Sequence, residues 1–144
     1  MEFLTKEWIY QKNSQELTSL LYEACLDNLE HAIAAIETKD YVEANIKLQK
    51  VNDILERLGV GLNYGAGVIA DQLDTLYNYM ANKVVTANMK KDTASLKEVA
   101  NMIEMLASAW NEAIKNKEAG ASGQELHQRK TKAYEQNVMV LTRD

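Results

Sequence analysis

The chain has 144 residues, a formal net charge of −5, one cysteine and no proline. Such a length allows one domain with an ordinary core, and the acidic balance argues against a nucleic-acid partner, which would require clustered Lys and Arg. A single cysteine excludes an internal disulfide framework and a thiolate zinc site, and charges interrupt every apolar stretch that could act as a signal peptide. We therefore expect a cytoplasmic protein that does not insert into membranes.

The first twelve residues combine large apolar side chains with a segment too short to form a stable helix alone. Phe3, Trp8, Ile9 and Tyr10 all fall here. Because a short helix is marginal in water, these groups need a surface to pack on. We predict that residues 1–12 form an N-terminal cap segment that docks on the rest of the protein.

Apolar residues then recur at three- and four-residue steps, the period of an α-helix, in four successive stretches. The stretches run from Leu17 to Ile36, Ala44 to Leu58, Ile69 to Ala87, and Leu96 to Ile114. Each stretch therefore predicts one long helix with a single apolar face.

Polar residues mark where these helices begin. Two pairs have the capping-box spacing, in which each side chain bonds a free backbone N–H: Asn13 with Glu16, and Asp40 with Glu43. Asp92 is predicted to cap the fourth helix. We expect the second helix to end at Gly59 and Gly61, because glycine readily adopts a left-handed backbone.

Short connections near residues 38–40 and 90–92 force neighbouring helices to run antiparallel. The predicted fold is all-α: an antiparallel up-down four-helix bundle over residues 13–118. A C-terminal tail, residues 119–144, follows the break at Gly120. Its apolar stripe is weaker, so it either frays or packs only in a complex.

The sequence offers no pattern for catalysis or metal binding. A di-iron bundle needs Glu-x-x-His pairs, but Asn28 and Gln124 stand three residues before His31 and His127. Asp27 and His31 are interpreted as an exposed polar pair, since no nucleophile accompanies them, and Cys25 as a buried thiol. We predict no enzyme activity, no metal and no cofactor.

Some apolar residues fall beside or outside the four stripes, so part of the apolar surface should remain in grooves between helices. These residues are Leu26, Tyr41, Ile46, Tyr79, Met102 and Met105. For about half of them a core position is the alternative. Grooves of this kind accept amphipathic helices, and the flexible thioether of methionine suits such a surface.

The residue pattern from 9 to about 116 resembles the FliS family, the flagellin-specific export chaperones of bacteria. The most specific stretch runs from Leu73 to Met80, followed by Ala87-Asn88, Asp92, Leu96-Lys-Glu-Val99 and Trp110. Leu20-Leu21-Tyr22 and the steps 45–50 and 54–58 agree with the same pattern. One departure is a short spacer, since Gln15-Glu16-Leu17 follows Asn13-Ser14 directly.

The resemblance implies a bundle that binds the disordered C-terminal region of flagellin, prevents premature polymerisation in the cytosol and helps to deliver flagellin to an export gate protein. The segment around Ile9 and Tyr10 would take part in client or gate recognition. We predict flagellin or export-gate contacts at Ile9, Tyr10, Tyr22, Leu26, Asn45, Lys50, Tyr77, Tyr79 and Asn88. A helical-bundle interaction protein with a different protein partner is the alternative function.

Overall fold

The computed structural model describes residues 14–62 and 67–122, and this part of the chain folds into four helices. They are α1 (Ser14–Glu37), α2 (Tyr41–Val60), α3 (Val68–Lys90) and α4 (Thr93–Ser122). The all-α four-helix prediction is confirmed, as are the two short connections. The predicted cap segment and the tail beyond residue 122 lie outside the described residues.

The chain divides into two compact units, Met1–Ser108 and Ala109–Asp144. The first unit holds α1, α2, α3 and the beginning of α4. In the second unit α4 continues across Gly120 to Ser122, although the sequence suggested a break there. One glycine inside a helix costs only about 1 kcal/mol, so it does not force the helix to end.

The apolar faces of the helices meet in a core within the first unit. The largest buried aliphatic side chains come from every helix and are at most 2% exposed: Leu29, Leu48, Val51, Leu55, Met80, Val84, Leu96, Val99 and Ile103. Ile69 is an exception to the predicted stripes, because it is exposed whereas the neighbouring Ala70 is buried. The inward face of α3 therefore begins one residue later than the periodicity indicated.

Aspartates cap two of the helices as predicted. Asp40 Oδ1 accepts from the Glu43 N–H at 3.2 Å, and Asp92 accepts from the backbone and the hydroxyl of Ser95 at 3.2 and 2.8 Å. The hydrogen bonds from Ser95 hold the pKa of Asp92 below its ordinary value. The cap formed by Asn13 lies outside the described residues.

The reciprocal half of the second capping box is not formed. The Asp40 N–H donates instead to the Ala35 carbonyl at 2.7 Å. The Glu43 carboxylate lies 3.6 Å from the Lys47 ammonium. Because the preceding helix already satisfies the Asp40 N–H, Glu43 is free to pair along its own helix.

Lysines, rather than glycines, adopt the left-handed backbone at two helix ends. Lys39 follows α1 with φ 64°, and Lys91 follows α3 with φ 54°. The expected left-handed ending of α2 is wrong: Gly59 lies inside the helix, and Gly61 has φ −78° and ψ 0°. The Gly61 N–H donates to the Arg57 carbonyl at 3.0 Å, which keeps the chain right-handed as α2 ends.

Polar contacts link helices that are distant in sequence. Tyr22 of α1 meets Tyr77 of α3, and Asn45 of α2 meets Asn88 of α3. Ion pairs join Lys83 to Glu98 and Lys97 to Glu37, which ties the first turns of α4 to α3 and α1. Among the described helices, none combines the length and the apolar character that crossing a membrane requires.

Candidate functional site

A groove runs between α2 and α3 on the surface of the first unit; we call it the α2–α3 groove. Its larger cavity, about 500 Å³, is lined by Asn52, Leu55, Glu56, Gly59 and Val60 with Asp74, Tyr77, Asn78 and Ala81. A smaller cavity of about 240 Å³ is lined by Asn45, Leu48, Gln49 and Asn52 with Val84, Val85, Asn88 and Met89. Asn52 lines both cavities, so the two are neighbours along the groove.

The lining residues follow from helical geometry. On α2, positions 45, 49, 52, 56 and 60 recur at three- and four-residue steps, and so do positions 74, 78, 81, 85 and 89 on α3. Each set therefore forms one stripe beside the buried face of its helix. Early residues of α2 lie opposite late residues of α3, as the antiparallel packing requires.

Large apolar side chains are exposed at the end of the groove formed by the start of α2 and the end of α3. Met89 is 79% exposed, and Val85 beside it is also exposed; both line the smaller cavity. Val42 and Ile46, on the first turns of α2, are exposed as well. Exposed apolar side chains grouped at one end of two helices are typical of a site for a protein partner.

Two tyrosine hydroxyls meet beneath the groove. The hydroxyl oxygens of Tyr22 and Tyr77 lie 2.6 Å apart, and the two residues are 2% and 3% exposed. Burial raises the pKa of both phenols. Burial also raises the pKa of the Cys25 thiol to about 12, so this predicted buried thiol is confirmed as buried and stays protonated at neutral pH.

A polar network closes the other side of the smaller cavity. The Asn88 Nδ2 donates to the Asn45 Oδ1 at 2.7 Å, and the Lys91 Nζ donates to the Asn88 Oδ1 at 2.8 Å. The Lys91 ammonium also lies 5.3 Å from the centre of the Tyr41 ring. Asn45 of α2 and Asn88 of α3 therefore hydrogen-bond to each other across the two helices.

A second cleft lies between α3 and α4 and includes Tyr79. Its cavity of about 290 Å³ is lined by Tyr79, Asn82, Lys83, Thr86 and Ser95. The Lys83 ammonium lies 2.5 Å from the Glu98 carboxylate and 5.5 Å from the centre of the Tyr79 ring. The contact with Glu98 is the main cause of the raised pKa of Lys83.

The structure places the predicted contact residues in several environments. Tyr77, Asn45 and Asn88 line the α2–α3 groove, Tyr22 supports it from below, and Tyr79 lines the cleft with α4. Leu26 is partly buried on α1, and Lys50 is exposed on α2. Ile9 and Tyr10 lie outside the described residues. A binding role for each of these residues stays a prediction.

Several groove residues were absent from the sequence prediction. Asn52, Glu56, Asp74, Val85 and Met89 all line the groove, and none was selected. The signal that could have found them is their register, since they extend the stripes that contain Asn45 and Asn88. Within residues 14–62 and 67–122, no three His, Cys, Asp or Glu side chains gather in a way that could hold a metal ion.

A helical bundle with a surface groove that presents both apolar and polar side chains has the features of a protein-binding scaffold. A family model described as "Flagellar protein FliS" matches residues 5–117. The chain therefore belongs to the FliS family of flagellar secretion chaperones, as the resemblance predicted.

Curated relatives extend over most of the chain. It is 34% identical over 120 residues to the flagellar secretion chaperone FliS of Bacillus subtilis (strain 168), covering 79% of this chain and 90% of that protein. It is 33% identical over 100 residues to the flagellar secretion chaperone FliSB of Pseudomonas aeruginosa, covering 69% of this chain and 79% of that protein. It is 27% identical over 106 residues to the flagellar secretion chaperone FliS of Salmonella typhimurium, covering 72% of this chain and 78% of that protein.

A solved structure described as a flagellar chaperone from bacteria has the same fold. The TM-score is 0.69 at 18% sequence identity, and the match covers 80% of this chain and 94% of that one. At this identity the likeness supports the four-helix architecture alone.

Proposed function

We propose that this chain is a cytoplasmic chaperone that binds the disordered C-terminal region of flagellin, prevents its premature polymerisation and assists its delivery to an export gate protein. Membership of the FliS family supports a flagellar client. The observation that carries the proposal is the α2–α3 groove, with Val85 and Met89 exposed along it. A disordered segment that folds into an amphipathic helix can bury its apolar face in such a groove.

The energetics favour a client that wraps a large surface. A disordered segment loses conformational entropy as it folds on the bundle, and that cost must be offset by buried apolar area. The groove offers apolar area without a deep enclosed pocket, which suits a helix better than a small molecule. We expect a dissociation constant between micromolar and nanomolar, roughly 8 to 12 kcal/mol of binding free energy.

The predicted contact residues fit this role in different ways. Asn45 and Asn88 present amides at the groove wall. Leu26 and Tyr79 offer apolar area on other faces, and Lys50 adds an exposed charge on α2. Tyr22 and Tyr77 would act through the shape of the groove floor, because both are buried. Ile9 and Tyr10 are proposed to take part in client or gate recognition.

The function can be tested with purified flagellin from the same bacterium. At equimolar concentration the chaperone should suppress filament growth from added seeds, and calorimetry should detect one-to-one binding. Flagellin that lacks its C-terminal region serves as the control and should neither bind nor respond. Equal suppression of both forms, or binding of neither, would contradict the proposal, and co-purification of a non-flagellar protein alone would favour the alternative partner.

The proposed N-terminal shield needs a separate test. We propose that Phe3, Trp8, Ile9 and Tyr10 cover apolar surface in the free protein and leave it when flagellin binds, because these large apolar groups need a surface to pack on. Removing residues 1–10 should increase the binding of a hydrophobic dye and change the rate of flagellin association. Unchanged dye binding together with unchanged association kinetics would count against the shield.

A further inference from the structure

The two tyrosine hydroxyls beneath the α2–α3 groove hold a proton that they cannot use between them. Tyr22 Oη and Tyr77 Oη lie 2.6 Å apart, and either oxygen can be the donor. Whichever hydroxyl accepts still carries its own proton, and among the described residues no acceptor for that proton is in reach. Both tyrosines are almost fully buried, so an unpaired hydroxyl proton would cost stability. The pair therefore needs a further acceptor.

The Asn52 side chain on α2 has the opposite need. Its Oδ1 is buried, and no donor reaches this oxygen within residues 14–62 and 67–122. A buried carbonyl oxygen without a donor is unfavourable, and in folded proteins such atoms are bonded either to another protein group or to an ordered water. Asn52 therefore offers an acceptor that lacks a donor, whereas the tyrosine pair offers a donor that lacks an acceptor.

Asn52 and Tyr77 line the same cavity. This is the larger cavity of the α2–α3 groove, about 500 Å³ in volume, and Tyr22 is not among its lining residues. A water molecule takes up about 30 Å³ in the liquid, so the cavity is large enough to admit water. Because the Asn52 Oδ1 is buried, a water bonded to it is enclosed by protein and is not part of the bulk solvent.

The cavity also indicates which tyrosine donates to the other. Only Tyr77 of the pair borders the cavity, so a spare proton on Tyr77 has a space in which to meet a partner. Tyr22 then donates to the Tyr77 Oη, and the Tyr77 hydroxyl donates into the cavity. Tyr77 does not donate directly to Asn52, whose oxygen lacks a donor in the structure. A water molecule can accept from the one group and donate to the other.

We propose that the larger cavity contains a binding site for one ordered water, which accepts a hydrogen bond from the Tyr77 hydroxyl and donates one to the Asn52 Oδ1. With Tyr22 donating to Tyr77, a chain of hydrogen bonds runs from α1 through α3 and the water to α2. The chain joins three helices beneath the groove, and it gives Asn52 a part in holding them together. The site is independent of the proposed function, because every group that forms it belongs to the bundle.

The water can be counted by oxygen-17 magnetic relaxation dispersion of the full chain, which detects water that exchanges slowly with the bulk. Asn52→Leu removes the acceptor and should reduce the number of long-lived waters by one. Tyr22→Phe should keep the water, because the Tyr77 hydroxyl still donates to it. An unchanged count in Asn52→Leu would overturn the water site. Loss of the water in Tyr22→Phe would overturn the direction of the chain.

Asn28 provides a matched control for the substitution at Asn52. Both asparagines are partly buried, but the Asn28 Nδ2 donates to the Ala24 carbonyl of its own helix at 2.8 Å. Asn28 does not line the larger cavity. Asn28→Leu makes the same chemical change outside the chain and should leave the number of long-lived waters unchanged. An equal loss of water in the two variants would overturn the assignment of the water to Asn52.

Urea unfolding provides a second test, because groups in one hydrogen-bond chain depend on each other. Asn52→Leu and Tyr77→Phe interrupt the same chain, so the double variant should lose less stability than the sum of the two single losses. Asn28→Leu combined with Tyr77→Phe should be additive. Additive losses for Asn52 and Tyr77 would overturn the chain. Coupling between them without a lost water in Asn52→Leu would show a direct contact and overturn the water site.

Discussion

At the scale of single residues, the hydroxyls of Tyr22 and Tyr77 are partners in a nearly dry environment. Tyr22→Phe or Tyr77→Phe leaves the other hydroxyl without this partner, so each should lower the free energy of unfolding by about 1 to 2 kcal/mol. The double variant should cost less than the sum, with a coupling of about 1 kcal/mol in urea unfolding. Strictly additive losses would contradict the pairing.

The buried thiol of Cys25 should make the free energy of unfolding depend on pH. Burial raises the pKa of its thiol from 9.0 to about 12, so between these values the folded chain holds a proton that the unfolded chain releases. The stabilisation is present below pH 9 and is lost as the pH rises, by about 1 kcal/mol over the first unit above pH 9. Tyr22 and Tyr77 act in the same direction above their ordinary pKa of 10.0.

Urea unfolding of Cys25→Ala at a series of pH values isolates the thiol. The small cavity in this variant lowers stability equally at every pH, whereas the decline that begins near pH 9 should become shallower. An alkaline decline of the same slope in both proteins would show that Cys25 does not cause it.

At the scale of helices, the two left-handed lysines lead to different expectations. Lys39→Gly relieves an unfavourable backbone conformation and should raise the free energy of unfolding by about 0.5 to 1 kcal/mol. Lys91→Gly gains the same relief but loses the hydrogen bond to Asn88 and the contact with Tyr41, so its net change should be near zero or negative. Thermal unfolding measures both, and Lys39→Ala, which keeps the strain, should show no gain. Equal gains at both lysines would contradict a structural role for the Lys91 side chain.

The helices themselves could be predicted from sequence because each buries one face, and a buried face imposes a period of 3.6 residues. Helix caps could be predicted where one side chain bonds a backbone N–H three residues later, as Asp40 and Asp92 do. The left-handed backbone of the two lysines could not be predicted, since glycine is the usual residue at a left-handed helix end. Only the packing of α1 against α2 and of α3 against α4 fixes these turns. Gly61 is the opposite case, because glycine can adopt a left-handed backbone but Gly61 stays right-handed.

At the scale of the whole molecule, the sequence indicated a groove-bearing bundle but did not locate the groove. Ile46 and Tyr79 were correctly separated from the apolar stripes, and both are exposed. Asn52, Glu56 and Asp74 were missed because their meeting depends on how α2 and α3 are aligned, which no local pattern specifies.

Two methionines allow a matched test of whether the α2–α3 groove binds the C-terminal region of flagellin. Met89 lines the groove and is 79% exposed, whereas Met105 lies on α4, does not line it and is 73% exposed. Calorimetric titration with the flagellin C-terminal region should show at least about tenfold weaker binding for Met89→Asp, because an apolar contact is replaced by a desolvated charge. Met105→Asp should stay within about twofold of the unmodified chain. Equal losses in the two variants, or no loss at Met89, would contradict the claim.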